Sequence, residues 1–254
     1  MKLERCWGVA ENGAAIEVAV VPSLVTEMDR RWPPLGLKRQ SAPVAPVEGR
    51  VGLSNEWVIV PDIDVSGDTP SEAAWDLLES TLTLFAVERL TRLVAVHSAA
   101  IAHNGRVLVV PATSGAGKST LSIAAVAAGA TLLSDEYTLV DPATGLVTGW
   151  QRPVRCVRED GTAERLDLAV SSEPLPVGLV AAVAYESEGG WWPVSAGEAV
   201  TELLAHTVCA RTRPDDALDA LLAIARAAPA VAGHRPDAAE AIVGLLRLMG
   251  ASAA

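Results

Sequence analysis

In the central part of the chain, the pattern of hydrophobic and polar positions predicts a helix that begins near Thr69. Thr69-Pro70-Ser71-Glu72 has the composition of a helix start: Thr69 can cap, Pro70 suits the first turn, and Glu72 completes a capping box. Apolar residues then recur at helical spacing. The pattern predicts a helix that continues to about Arg89.

A β-hairpin is predicted immediately after this helix. Val94–Ala102 alternates in the way that strands do, and Asn104-Gly105 is the dipeptide most typical of a tight hairpin turn. Arg106–Pro111 is the predicted return strand, and it leads directly into a glycine-rich segment. That segment should therefore follow a strand whose neighbour is antiparallel.

Downstream of residue 111, helical and strand-like patterns alternate. We expect a helix from about Gly117 to Ala128, closed by Gly129, and then a short strand that ends before Asp135-Glu136. This short strand is Thr131–Leu133. Further predicted strands are Tyr137–Val140, Leu146–Trp150, Leu179–Glu186 and Ala228–Ala232, and further predicted helices are about 197–210, 214–228 and 237–249. Ser195-Ala196-Gly197-Glu198 is a second capping box. The C-terminal part is expected to be mainly helical.

The N-terminal part has short apolar segments with a polar stretch between them. Ala15–Val21 and Glu56–Pro61 read as strands, whereas Arg31–Gly49 is rich in proline and glycine and reads as one long loop. We therefore expect a small β-rich region over residues 1–66 and an α/β domain with a mixed sheet over residues 67–254. One continuous domain also fits the pattern.

Composition narrows the class of protein. Half of the 254 residues are hydrophobic, yet no run of about 18 apolar residues appears, so no membrane-spanning helix is expected. The net charge of −11 argues against non-specific nucleic-acid binding. Cys6, Cys156 and Cys209 fit neither a zinc spacing nor a disulfide framework. The N-terminus has no signal-peptide core, so a cytoplasmic location is expected, and the oligomeric state is left open.

The glycine-rich segment is typical of a P-loop, in which backbone N–H groups at a helix N-terminus cradle phosphates. Lys118 would reach the β and γ phosphates, and Ser119 would ligate Mg²⁺. Ala112 occupies the position at which the usual pattern begins with glycine. The predicted nucleotide-binding residues are Thr113, Ser114, Gly115, Ala116, Gly117, Lys118, Ser119 and Thr120. An ordinary glycine turn before a helix is the alternative interpretation.

Two acids and one histidine are the other candidates for chemistry. Asp135 and Glu136 end the strand that follows the predicted helix Gly117–Ala128, at the sheet edge where α/β proteins bind ligands. One could hold Mg²⁺ while the other takes a proton from an attacking hydroxyl; a solvated turn is the alternative. His97 lies in the strand before the hairpin, and taken alone it also fits a core histidine.

In combination, these features resemble the catalytic domain of HPr kinase/phosphorylase and the looser group of HPr-kinase-like proteins. The resemblance covers about Leu93–Val140: His97-Ser98-Ala99-Ala100, the loop Ala112–Thr120, the strand after Gly129, and the acidic pair. The layout on both sides is also similar to that of short HPr-kinase-like proteins in ribosomal-peptide gene clusters, some of which phosphorylate precursor peptides.

The resemblance implies a P-loop domain with a mixed sheet, ATP and Mg²⁺, and transfer to a serine hydroxyl of a peptide or protein. It would place His97 beside the transferred phosphate and give Asp135 and Glu136 the base and metal roles, with Ser119 as a further metal ligand. Ala112 replaces a glycine of the family pattern, and Glu136 replaces an aspartate. The segment that follows the sheet in the bifunctional family is not recognisable, so phosphorylase activity and HPr itself are not expected.

Two other functions fit the same residues. A nucleotide-binding regulator or pseudokinase would use ATP occupancy as a signal, and a P-loop ATPase would use Glu136 to activate water. The arginines of Gln151–Asp167 and the pair Trp191-Trp192 are interpreted as ordinary surface and packing features, with an acceptor surface as the alternative.

Overall fold

The protein, examined as a computed structural model, is a mixed α/β protein in two compact units, Met1–Thr91 and Arg92–Ala254. The structure describes residues 4–33, 35–44, 46–53, 57–60, 63–66, 72–113, 116–157, 163–166, 173–185, 189–235 and 237–251. Within these ranges it has two mixed sheets and six α-helices. No helix within them is both long enough and apolar enough to span a bilayer.

The first unit contains a six-stranded sheet. Its elements are β1 (Glu4–Ala10), β2 (Ala15–Val20), α1 (Val25–Arg30), β3 (Leu37–Gln40), β4 (Val47–Leu53), β5 (Trp57–Val60), β6 (Ile63–Ser66) and α2 (Glu72–Glu88). The strand order is β3-β1-β2-β4-β5-β6, and only β2 and β4 are parallel neighbours. Helix α2, which the sequence pattern places in the second part of the chain, therefore belongs to the first unit.

The polar stretch 31–49 is not one loop, contrary to expectation. It contains β3 and the start of β4, and the sequence pattern does not predict β1 or α1 either. Strand β3 alternates poorly, since Lys38 and Arg39 are both exposed, and its pairing with β1 rather than its own composition keeps it extended. The capping residues Thr69 and Pro70 lie outside the described residues.

The second unit contains an eight-stranded sheet and a separate two-stranded hairpin. Its elements are β7 (Val94–His103), β8 (Arg106–Pro111), α3 (Lys118–Ala127), β9 (Thr131–Ser134), β10 (Tyr137–Val140), β11 (Leu146–Gly149), β12 (Val154–Val157), β13 (Ala163–Leu166), β14 (Leu175–Tyr185), β15 (Gly190–Val194), α4 (Ala196–Ala205), α5 (Pro214–Ala227), β16 (Ala230–Arg235) and α6 (Ala238–Ala251). The main order is β11-β10-β7-β8-β14-β16-β15, and β9 also pairs with β7.

Local sequence signals in this unit are confirmed. Asn104 and Gly105 both have positive φ and join β7 to the antiparallel β8, as the Asn-Gly turn predicts. Ser195 and Glu198 form the expected reciprocal capping box at the start of α4. Helices α4, α5 and α6 confirm a mainly helical C-terminal part, although β15 was not anticipated.

Strand β7 separates two hydrophobic clusters because its successive side chains point to opposite faces of the sheet. Ala99 and Ile101 belong to the cluster that includes residues of α3 and α6. Ala100 and Ala102 belong to the cluster that includes residues of α4 and α5. The second unit therefore has three layers, with the sheet between two pairs of helices.

The two halves of β7 have different neighbours. Strand β8 accompanies β7 only from Ser98 to His103, because the chain leaves the sheet after Pro111. Beyond that point the His97 amide donates to the His206 carbonyl at 2.8 Å, and the Val208 amide donates to the Ala95 carbonyl at 3.0 Å. Residues 206–208 therefore take the place of β8 beside this half of β7.

A close approach between β9 and β11 generates the first prediction. A Cβ atom on Gly149 would overlap the carbonyl group of Leu133, so these strands must separate in a Gly149→Ala protein. We expect this substitution to lower the free energy of unfolding by about 3 kcal/mol. Urea denaturation of the purified protein would measure the change.

Gly197→Ala is the matched control for this prediction. A Cβ atom there would lie 3.9 Å from Ser195 Oγ, within helix α4, so the control should be stabilised by about 0.5–1 kcal/mol. A wild-type unfolding midpoint for Gly149→Ala would contradict the close approach of the two strands.

Candidate functional site

The glycine-rich segment lies between β8 and the N-terminus of α3, which confirms the predicted strand–loop–helix order. Gly117 has φ +84° at the N-cap, a left-handed conformation that costs other residues about 1–2 kcal/mol. The Leu121 amide already bonds to the Gly117 carbonyl, so the helix is regular from its first turn. The first N–H groups of a helix have no partner within it, and the helix dipole is positive there.

The segment is only partly described. Thr113 and Thr120 are exposed, and Ala116 and Gly117 are half-buried. Ser114 and Gly115 lie outside the described residues, so the structure describes the predicted phosphate cradle only on the two sides of them.

The side chain of Lys118 folds back onto its own loop. Its Nζ donates to the carbonyl oxygens of Ala112 at 2.7 Å and Thr113 at 2.9 Å. Burial lowers the pKa of Lys118, and the carboxylates of Asp135 and Glu136 partly oppose that shift. The ammonium group is therefore buried at the mouth of the loop, within electrostatic reach of both candidate acids.

Ser119 joins α3 to the acidic turn. Its Oγ donates to Oδ2 of Asp135 at 2.8 Å, and Asp135 is buried. These two oxygen-bearing side chains come from the second position of the helix and from the residue after β9. This contact brings together two of the three residues predicted to hold Mg²⁺.

Three hydrogen bonds fix the backbone of the turn at Asp135-Glu136. Ser134 Oγ accepts hydrogen bonds from the amides of Glu136 and Tyr137, each at 3.1 Å. The carbonyl of Glu136 accepts from the Ser98 amide at 3.1 Å, which ties the turn to β7. Both candidate acids are thus presented from a backbone held at three points.

Glu136 forms an ion pair with Arg152. Arg152 Nε lies 2.7 Å from Glu136 Oε2, and their side chains are only 17% and 14% exposed. The sequence pattern favours a surface position for Arg152, whereas the structure buries most of its side chain. The register of the β10–β11 hairpin is the signal that could have found it: Thr138 opposes Gly149, so the next residues along β11 return towards Glu136.

His97 lies next to the same groups. It pairs with Tyr137 across β7 and β10, and the two ring centroids are 5.6 Å apart. Burial lowers the pKa of His97 to about 4, with smaller contributions from the positive charges of Lys118, His206 and Arg152. The imidazole is therefore neutral near pH 7 and lies within electrostatic reach of both cations of the site.

The tryptophan pair does not join this group. Trp191 and Trp192 lie on the edge strand β15, three strands from β8. Trp192 is 46% exposed and packs edge-on against His234, with ring centroids 5.2 Å apart.

The assembled side chains fit a hydrated magnesium ion better than a closed metal cage. Among the residues described here, no cluster of three or more His, Cys, Asp or Glu could hold a metal. Ser119 and Asp135 nevertheless offer a hydroxyl and a carboxylate in contact with each other. Mg²⁺ is usually bound by one or two such groups together with substrate phosphates and water.

No model of a known protein family matches the chain, and no curated protein matches it with significant similarity.

The low pKa of His97 generates the second prediction. Its value of about 4 lies below the ordinary 6.5, so between these values the unfolded chain binds a proton that the folded chain does not. The free energy of unfolding should therefore fall as the pH is lowered through this window. In His97→Gln the fall between about pH 7 and about pH 4.5 should be smaller by about 2 kcal/mol.

Urea denaturation at the two pH values checks this result. His103→Gln, in the β7–β8 hairpin, serves as the control and should lose stability with acid as the wild type does. Equal acid sensitivity in wild type and His97→Gln would contradict a buried, neutral His97.

Proposed function

We propose that this protein transfers the γ-phosphoryl group of ATP to a hydroxyl group, and that the acceptor is a serine in a peptide or protein. One observation carries the proposal: the helix N-terminus that bears Lys118 and Ser119 meets the acidic turn through the Ser119–Asp135 hydrogen bond. A positive helix end, a buried ammonium group and a carboxylate in contact with a hydroxyl are the groups that a magnesium-bound triphosphate requires. The resemblance to HPr-kinase-like P-loop proteins supports the same proposal.

In this proposal the loop residues bind the phosphates. Backbone N–H groups of residues 113–120 would face the phosphate oxygens. Lys118 would exchange its two carbonyl partners, Ala112 and Thr113, for oxygens of the β and γ phosphates. The exchange is favourable because a charged acceptor forms a stronger hydrogen bond than a neutral carbonyl does.

Ser119 and Asp135 are the residues that would hold Mg²⁺. When bound, the ion would supply positive charge against the negative charge that develops on the phosphate oxygens. The Ser119–Asp135 contact supports this role for Asp135, and Glu136 would then be the residue that takes the proton.

The transfer step then uses Glu136 and His97 on the acceptor side. The acceptor oxygen attacks the γ phosphorus, the bond to the β-phosphate oxygen breaks, the hydroxyl proton passes to Glu136, and ADP leaves. His97 is neutral, so it can orient the hydroxyl by hydrogen bonding without adding a charge. The fixed backbone of the acidic turn would keep Glu136 within reach of the nucleophile.

Removal of the loop lysine is the third prediction. Lys118→Met keeps the apolar stem and removes the ammonium group, so one charge-assisted contact to the phosphates is lost. We expect Mg-ATP to bind at least about tenfold more weakly, since such a contact contributes about 1.5–3 kcal/mol. Isothermal calorimetry gives the affinity directly.

The exposed Arg226→Met is the charge-matched control, because it removes one cation from α5 without touching the loop. Its ATP affinity should equal that of the wild type. Equal affinity in Lys118→Met as well would mean that nucleotide binds elsewhere or that the loop is not a phosphate site.

The fate of the γ phosphate is the fourth prediction, and it separates the three candidate functions. With γ-labelled ATP and the peptides encoded beside this gene, a kinase labels an acceptor, an ATPase releases free phosphate, and a regulator does neither. We expect a labelled acceptor, which mass spectrometry would identify. Rapid hydrolysis without any acceptor, lost in Glu136→Asp, would establish the ATPase instead.

A further inference from the structure

Arg152 lies beside the acidic turn but belongs neither to that turn nor to the phosphate loop. Its side chain is mostly buried, although burial of an arginine costs free energy unless anionic partners compensate. The ion pair with Glu136 supplies one such partner. Burial is the main cause of the lowered pKa of His97, and the charges of Lys118 and Arg152 lower it further, so both cations lie near the same imidazole.

The segment that carries Arg152 is anchored in the core. Trp150, two residues earlier, is 1% exposed, and its amide donates to the Tyr137 carbonyl at 2.9 Å. The indole packs edge-on against the Tyr137 ring with centroids 6.3 Å apart. Arg152 is therefore held beside the acidic turn by a buried residue two positions earlier in the chain.

We propose that Arg152 binds the terminal phosphate of a bound nucleoside triphosphate, and that it releases Glu136 when it does so. The proposal rests on the proposed function. A planar guanidinium group matches phosphate oxygens in a two-pronged fashion, and a terminal phosphate carries more negative charge than the single carboxylate of Glu136. Arg152 would thus recognise a triphosphate and leave a diphosphate unrecognised.

This exchange would make the availability of Glu136 as a base depend on a bound triphosphate. Glu136 Oε2 lies 2.7 Å from Arg152 Nε, so the ion pair occupies an oxygen that a proton-accepting base needs. When Arg152 turns to the terminal phosphate, that oxygen becomes available to the acceptor hydroxyl. After transfer, the terminal phosphate has left the nucleotide, and once Glu136 has passed its proton to solvent, Arg152 returns to the Glu136 carboxylate.

The alternative role of Arg152 is to position Glu136 in every state. In that case its loss would affect ATP and ADP alike, because neither nucleotide would contact it. The comparison of triphosphate with diphosphate therefore separates phosphate recognition from a structural role, and it needs no measurement of activity.

The test is the affinity for Mg-ATP and Mg-ADP, measured by calorimetry in wild type, Arg152→Ala and Glu136→Gln. We expect Arg152→Ala to bind ATP about tenfold or more weakly and ADP within about threefold of the wild type. Glu136→Gln removes the competing carboxylate, so it should bind ATP at least as tightly as the wild type. Arg226→Ala, on the exposed face of α5, is the arginine control.

Each outcome decides between the possibilities. Equal weakening of ATP and ADP binding in Arg152→Ala, or no weakening of either, overturns the inference about Arg152. The labelled-acceptor experiment tests the proposed function separately from this result. Failure of the wild type to bind Mg-ATP at all refutes the proposed function and this inference together. If Arg152→Ala does not fold, Arg152→Lys gives the same comparison, because it keeps the charge and loses the two-pronged contact.

Discussion

Strand β7 is the element on which the candidate site depends, because its two halves face different neighbours. From Ser98 onwards it pairs with β8, and before Ser98 it pairs with residues 206–208. The change of neighbour is forced at Pro111, where β8 ends and the glycine-rich segment begins. On its other side β7 pairs with β9 and β10, which are joined by the acidic turn. The loop, the turn and His97 therefore gather at the place where β7 changes neighbours.

The charges of this region balance one another. Lys118 and Arg152 are both mostly buried, and Asp135 and Glu136 lie close enough to oppose the cost of burying Lys118. Backbone carbonyls hold Lys118, while Glu136 holds Arg152. Both cations thus have partners that phosphate oxygens, as charged acceptors, could replace. Such an arrangement is what the proposed binding of a polyanionic ligand requires.

The sequence predicted those parts of the fold whose signals are local. The Asn104-Gly105 turn and the Ser195–Glu198 capping box depend on residues within a few positions of each other, and the structure contains both. Strands β3 and β15 were missed because their composition is poor for strands: β3 carries exposed charges, and β15 carries Pro193. Their partners β1 and β16 hold them in place, and pairing with a distant strand leaves no trace in a short window of sequence.

The site shows the same division between local and distant signals. The glycine-rich segment and the acidic pair could be identified because each is contiguous in the sequence. The contact of Arg152 with Glu136 depends on the register of the β10–β11 hairpin and on the burial of Trp150, and both result from strand pairing and packing with residues earlier in the chain. The low pKa of His97 likewise results from the burial produced by packing of the whole unit.

The decisive experiment is a structure of the protein with Mg²⁺ and a non-hydrolysable ATP analogue. We expect the terminal phosphate to lie at Lys118 Nζ, with the amine released from the carbonyls of Ala112 and Thr113, and the metal to be held by Ser119 and Asp135. A nucleotide bound elsewhere, with Lys118 still folded onto its own loop, would contradict this expectation.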